Sequence, residues 1–249
     1  MIATIQYNSR KLQIDLAKPQ DISIPIKEHP TVSAWYVDPP KIEPVVMDDK
    51  WVGLVSEGAA VNFNNVWFNP HAHGTHTECA GHITETVYSI NKHLKEFFFL
   101  AELITVAPEK KGDDFMISKK QIQFALGNKK RDAVIIRTLP NTKEKKSRQY
   151  SNTNPTYLQE EAAIYLKEKG IKHLLVDMPS VDKERDNGEL LAHHAFWDTK
   201  GELRLDATIT ELIYVPNAVK DGEYMLNLQI ASFENDAVPS KPVLYKIIE

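Results

Sequence analysis

His71-Ala72-His73-Gly74-Thr75-His76-Thr77-Glu78-Cys79-Ala80-Gly81-His82 holds four of the chain's nine histidines and one carboxylate. Imidazole and carboxylate together suit Zn²⁺, Mn²⁺ or Fe²⁺. In an extended segment, residues two apart face the same side. His76 and Glu78 therefore converge, and His82 joins them after a turn at Ala80-Gly81. His71 and His73 have the opposite parity, so either reaches the same point only if the chain turns or bulges before His76. Gly74 permits that, because glycine tolerates positive φ. Gly81 lets the backbone swing before His82.

Gly74-Thr75-His76-x-Glu78-x-x-x-His82 resembles the signature of the metal-dependent cyclase family, which includes bacterial kynurenine formamidases and isatin hydrolases. That signature reads His-x-Gly-Thr-His-x-Asp-x-Pro-x-His. Glu78 stands where the family has Asp, and Ala80 where it has Pro. Ala72 stands where it has the first His, with His71 and His73 flanking that slot. Asp15-Leu16-Ala17 is read as the remnant of the Asp-Leu-Ser that ends the family's first strand.

The resemblance implies an α/β (α+β) fold: one compact domain over residues 1–249, with a mixed β-sheet core and flanking helices of the swivelling β/β/α type. It also implies a downstream His and Glu. His193-His194-Ala195-Phe196-Trp197 and Ile209-Thr210-Glu211-Leu212 resemble the stretches that carry them. The register selects His193, and a slip of one residue selects His194. The metal set is then His71, His76, Glu78, His82 and Glu211, with His73 the alternative to His71. A carboxylate amid apolar residues, as Glu211 is, costs free energy unless it is paired or metal-bound.

Around this core the 249 residues are 42 % hydrophobic and 26 % charged, with a net charge of −4. That is an ordinary globular composition with no electrostatic case for nucleic acid. No stretch approaches the ~20 apolar residues of a membrane-spanning helix. Met1–Tyr7 has no basic region leading into an apolar run, so the cytoplasm is the expected location. The single cysteine, Cys79, excludes an intrachain disulfide and reads as wall or filler.

Residues 2–7 and 10–16 alternate around Asn8-Ser9, a hairpin signal. Prolines 19, 25, 30, 39, 40 and 44 make 18–50 mostly loop. Trp35, Tyr36 and Trp51 in that region pave a pocket or anchor the loop. Residues 61–68, 98–107, 133–138, 172–177, 224–233 and 243–248 read as strands, and 207–215 as a strand or a short helix edge. Ser118 caps a helix through Leu126, and residues 156–169 form a helix ended by Gly170. Lys143–Arg148 reads as a solvated charge run, and His173 as structural.

There is no Gly-x-Ser-x-Gly elbow and no phosphate-binding glycine loop. The chemistry expected is hydrolysis by a metal-activated water, with one or two ions, zinc ahead of manganese. Two carboxylates permit a pair ~3.5–4 Å apart. His193 is the expected proton shuttle, with His82 second. The resemblance points to a small-molecule amide (aryl formamide, lactam or cyclic imide) and to a homo-oligomer, dimer or tetramer. Ligand spacing alone suits a lactone or ester equally. The rivals are a non-catalytic metal-binding protein of the same fold and a two-His-one-carboxylate oxygenase. Glu211 and the Gly-Thr-His core argue against the oxygenase.

Overall fold

The computed structural model describes residues 1–48 and 50–248. The main strands are β1 (Ile2–Tyr7), β2 (Arg10–Asp15), β3 (His76–Glu78), β4 (Phe98–Val106), β5 (Ala133–Thr138), β6 (His173–Val176), β7 (Thr208–Glu211), β8 (Gly222–Ile230) and β9 (Ala237–Ile248). Helices α1 (Lys119–Leu126), α2 (Glu160–Glu168) and α3 (Leu191–Trp197) each lie between two of them. Strands β4, β5, β6 and β7 run parallel, and each is joined to the next through one helix. This is the long crossover that parallel neighbours require. The sheet order is β1-β2-β9-β8-β4-β5-β6-β7-β3. Ala237–Pro239 of β9 then pair with His76–Glu78 of β3, closing the strands from β9 round to β3 into a barrel.

Alternation along the strands divides the core. Ala101, Leu103, Ala133, Ile135, Leu175 and Val238 form one cluster with Leu226 and Leu244 inside the barrel. Ile104, Val106, Val134, Ile136, Leu174, Val176 and Ile209 face the other way. They pack against Ile122 and Leu126 of α1, Ala163 and Leu166 of α2, and Phe196 and Trp197 of α3. Each fully buried Leu, Ile or Phe contributes on the order of 1.5–3 kcal/mol, so the helices are held by the sheet rather than by propensity.

The hairpin forms as expected, with Asn8 at φ 51° in its turn. Ser118 caps α1 reciprocally: its Oγ accepts from the Gln121 amide, and its amide donates to Gln121 Oε1 at 3.0 Å. The helix expected from Thr156 instead begins at Glu160. Tyr157-Leu158 are diverted into a short parallel pairing with Met116-Ile117. Gly170 follows the helix at φ 76°, as expected. The strand read at 61–68 shortens to Asn64–Trp67 and pairs with Lys41–Pro44 in a side ribbon, outside the barrel.

The run 143–148 is not uniformly solvated. Lys145 is buried and donates to Asp177 Oδ2 at 2.7 Å and to the Thr138 carbonyl at 2.7 Å. Among the described residues, no helix is long and apolar enough to cross a membrane.

His173 is structural. It is buried, its Nδ1 lies 2.9 Å from Thr208 Oγ1, and burial pushes its pKa down to about 3. The unfolded chain binds a proton there near pH 6.5, whereas the native state resists it until about pH 3. Its contribution to stability is therefore full above pH 6.5 and is lost as pH falls. Urea titrations of His173→Gln between pH 6.5 and 3.5 should show a slope shallower than wild type by about 1.4 kcal/mol per pH unit.

Candidate metal centre

Strand parity places the site on the helix-side face of the barrel. In the β3–β7 ladder Glu211 lies opposite His76, and Ile209 opposite Glu78. Thr77 and Thr210 alternate to the other face, where their hydroxyls meet at 2.8 Å. His76, Glu78 and Glu211 thus share one surface, at 1, 0 and 3 % exposure.

The turn before β3 delivers His71. Asn69 Oδ1 accepts the His71 amide at 2.9 Å, and the Asn69 carbonyl accepts the Ala72 and His73 amides. His71 then faces the cluster, while Ala72 is fully buried and His73 turns away. The His73 Nδ1 accepts the Asn69 amide at 3.0 Å, and its ring lines a separate cavity with Asp38 and Phe68. Gly74 has φ 91°, and a Cβ there would meet the Ile24 carbonyl at 2.8 Å. Residues 80–82 form one 3-10 turn that swings His82 back. Gly81 serves by closeness rather than by positive φ, since a Cβ would lie 2.3 Å from the Tyr88 carbonyl.

Helix α3 supplies His193. The His193 Nε2 lies 3.1 Å from Glu78 Oε1 and 3.9 Å from Glu211 Oε1. Asp182 stands behind it, with Oδ2 2.5 Å from His193 Nδ1 and Oδ1 accepting the Ala192 amide at 2.7 Å. His194 points elsewhere and meets Thr199 Oγ1 at 2.6 Å. Of the two downstream histidines, the structure brings His193 to the cluster.

Glu78 is the hub. Its Oε2 lies 3.1 Å from His71 Nδ1 and 3.9 Å from His82 Nε2. His76 Nε2 lies 3.4 Å from Glu211 Oε2, while its Nδ1–H donates to the Gly74 carbonyl at 3.1 Å. Glu211 Oε1 accepts the Val181 amide at 2.9 Å. Glu78 Oε2 and His76 Nε2 are nevertheless buried atoms without a hydrogen-bond partner. A carboxylate oxygen and an imidazole nitrogen sealed from water without hydrogen-bond partners, in one donor group, fit a bound cation. Three overlapping donor groups can hold one: His71, His76 and Glu78; Glu78, His82 and His193; or His71, His82 and Asp236.

Burial alone would raise Glu78; its electrostatic interaction with His82 and the hydrogen bond from His193 outweigh it and hold the carboxyl well below its usual range. Burial would lower His71 and His193, but Asp236 and Glu78 at His71, and Asp182 and Glu78 at His193, raise each to about 10. Cys79 is not part of this chemistry. Its buried thiol donates to the Tyr88 carbonyl at 3.3 Å, and burial pushes it up to about 11.

The cluster floors a cavity of about 310 Å³ lined by Trp35, His71, His82, Asp182, Leu190, His193 and Glu211. Trp35 is on its wall, and its Nε1 donates to the His71 carbonyl at 3.2 Å. Tyr36 is 58 % exposed and donates to Glu184 Oε1 at 2.6 Å. Trp51 is not on this wall. It belongs to the side ribbons, its ring 6.4 Å from that of Phe63. Sequence reasoning missed Asp182 and Asp236. Asp182 lies in the loop between β6 and α3 and Asp236 just before β9, and neither carried a signal short of the tertiary pairing.

The Cyclase family model matches residues 20–183. The chain belongs to the cyclase family. The match begins at residue 20 and does not reach Asp15-Leu16-Ala17. Asp21-Ile22-Ser23 falls inside it, with Asp21 Oδ1 accepting the Ser23 amide at 2.9 Å.

Similar solved structures agree on the fold. A predicted metal-dependent hydrolase from Bacillus stearothermophilus is 18 % identical, with TM-score 0.61, covering 92 % of this chain and 98 % of that one. Isatin hydrolase A from Labrenzia aggregata is 14 % identical, with TM-score 0.67 and coverage of 92 % and 93 %. An isatin hydrolase bound to the product analogue thioisatinate is 12 % identical, with TM-score 0.65 and coverage of 93 % of each chain. No curated protein matches the sequence.

Gly74→Ala would force both a left-handed alanine and a contact with the Ile24 carbonyl. It should cost about 1–3 kcal/mol in urea unfolding.

Proposed function

We propose that this cyclase-family protein is a metal-dependent hydrolase of small aryl formamides, cyclic amides or imides. The observation that carries the reading is the pair of buried, partnerless atoms, Glu78 Oε2 and His76 Nε2, inside a cluster of four imidazoles and two carboxylates. Zinc, or manganese as the second choice, would be held by His71, His76, Glu78, His82 and Glu211 as one or two ions. Bound there, such an ion supplies a water with its pKa lowered to about 7 and polarises the substrate carbonyl.

His193 carries protons in this scheme. Asp182 fixes its Nδ1–H and leaves Nε2 turned toward the cavity floor, where an attacking water and a leaving nitrogen would lie. Trp35 offers a flat apolar wall for an aromatic or cyclic substrate. The hydrolase and isatin hydrolase neighbours support the substrate class by likeness.

Elemental analysis of protein purified without chelator should find about one or two zinc or manganese ions per chain. A metal-replete sample should hydrolyse a member of a panel of N-formylkynurenine, isatin, cyclic imides and lactones. His71→Ala should weaken metal binding, whereas His73→Ala should not. His193→Ala should keep its metal and lose about 10²–10⁴ in kcat, with His194→Ala close to wild type. Loss of metal together with His193 would make it a ligand instead. A metal-replete protein inert to the whole panel would remove the hydrolase reading.

A homo-oligomer, dimer or tetramer, belongs to the same reading. It is supported by Val46, Met47, Val55, Phe63, Val66 and Trp67, each about half exposed on the side ribbons and their connections. Light scattering should return a multiple of the 28.3 kDa chain mass.

A further inference from the structure

The strand pairing that closes the barrel also places an acid that the proposed ligand set does not include. Asp236 immediately precedes β9, whose first residue, Ala237, lies opposite Glu78. Its backbone is fixed on both sides. The Asp236 carbonyl accepts the Cys79 amide at 3.0 Å, and the Asn235 carbonyl accepts the Ile90 amide at 2.9 Å. The side chain is 20 % exposed, and its Oδ2 lies 2.9 Å from His71 Nε2 and 3.3 Å from His82 Nδ1. The two imidazoles stack over each other, with centroids 4.1 Å apart and planes 26° from parallel.

We infer that Asp236 is a positioning residue: through one carboxylate oxygen it orients His71 and His82 so that His71 Nδ1 and His82 Nε2 are the nitrogens offered to the metal. A carboxylate only accepts, and an imidazole that binds a metal is neutral, with one N–H. In that form the nitrogen facing Asp236 carries the hydrogen in each ring. The opposite nitrogens, which face Glu78 Oε2 at 3.1 and 3.9 Å, are the ones that give up a proton to a metal. His76, tied to the Gly74 carbonyl, and His193, tied to Asp182, are held in the same way. An acceptor behind a metal-binding histidine fixes tautomer and ring orientation, and losing one typically costs 10–100-fold in affinity.

The competing arrangement is a cation among His71, His82 and Asp236 themselves. It would consume the nitrogens facing Asp236, and would leave Glu78 Oε2 and His76 Nε2 buried and bare on the other side. The partnerless atoms favour the Glu78 side.

This inference rests on the metal reading of the cluster, and the test separates the two. Zn²⁺ affinity is measured by chelator competition for wild type, Asp236→Asn and Asp236→Leu, with circular dichroism as the fold control. Co²⁺ spectra and ¹⁵N shifts of the histidines are recorded in parallel. Asp236→Leu should weaken Zn²⁺ binding about 10–100-fold, and Asp236→Asn less, because its amide oxygen still accepts one N–H. The Co²⁺ bands should show an unchanged coordination number. In zinc-loaded wild type, His71 should be protonated at Nε2 and metal-bound at Nδ1. A wild-type protein that binds no metal overturns the metal reading itself. Wild-type binding matched by Asp236→Leu overturns the role of Asp236 alone. A Co²⁺ spectrum showing one ligand fewer in both variants overturns it too, by making Asp236 a direct ligand.

Discussion

A carboxylate sealed completely from water must be compensated, and Glu78 is so sealed. Leaving a buried charge uncompensated costs several kcal/mol. Every element near position 78 answers that cost. The turn at Gly74 brings His71, the turn at residues 80–82 brings His82, and α3 brings His193. In the metal-free chain the compensation comes from imidazolium charge, with His71 and His193 raised to about 10. A divalent cation would take over the same duty. Because such an ion binds the native state and finds no preformed site in the unfolded chain, its binding free energy adds to the stability of the fold.

The pattern around His76 was legible because metal chemistry is local. Two side chains two residues apart on a strand share a face whatever the rest of the chain does, and His76 and Glu78 do. Gly74 was readable as a turn for the same reason. The parallel strands stood out as continuous apolar runs, since both their faces are covered. The helix start at Glu160 was hidden. Tyr157-Leu158 have helical spacing, and only their tertiary pairing with Met116-Ile117 turns them into a strand. Lys145 was hidden too, because a lysine in a charge run gives no local sign of an Asp177 waiting under it.

Residues that act across the fold were the hardest to find. Asp182 and Asp236 have no spacing relation to the histidines they touch. They are recruited by the loop after β6 and by the start of β9. Trp35 and Trp51 looked equivalent as aromatics in a proline-rich region, yet only Trp35 lines the cavity above the cluster. The difference lies in the side ribbons: 61–68 read as a strand, but nothing in it names Lys41–Pro44 as the partner.

The closure of β9 on β3 has a consequence for the order in which the molecule assembles. His71 and Asp236 are 165 residues apart in the chain, so their contact closes one of the largest loops in the fold and is paid for in chain entropy. A local piece such as the β1–β2 hairpin closes a far shorter loop at a smaller entropic cost. Until the β9 segment docks, β3 lacks one neighbour and Asp236 is absent from the rings it touches. The completed set of donors is therefore a property of the closed barrel alone.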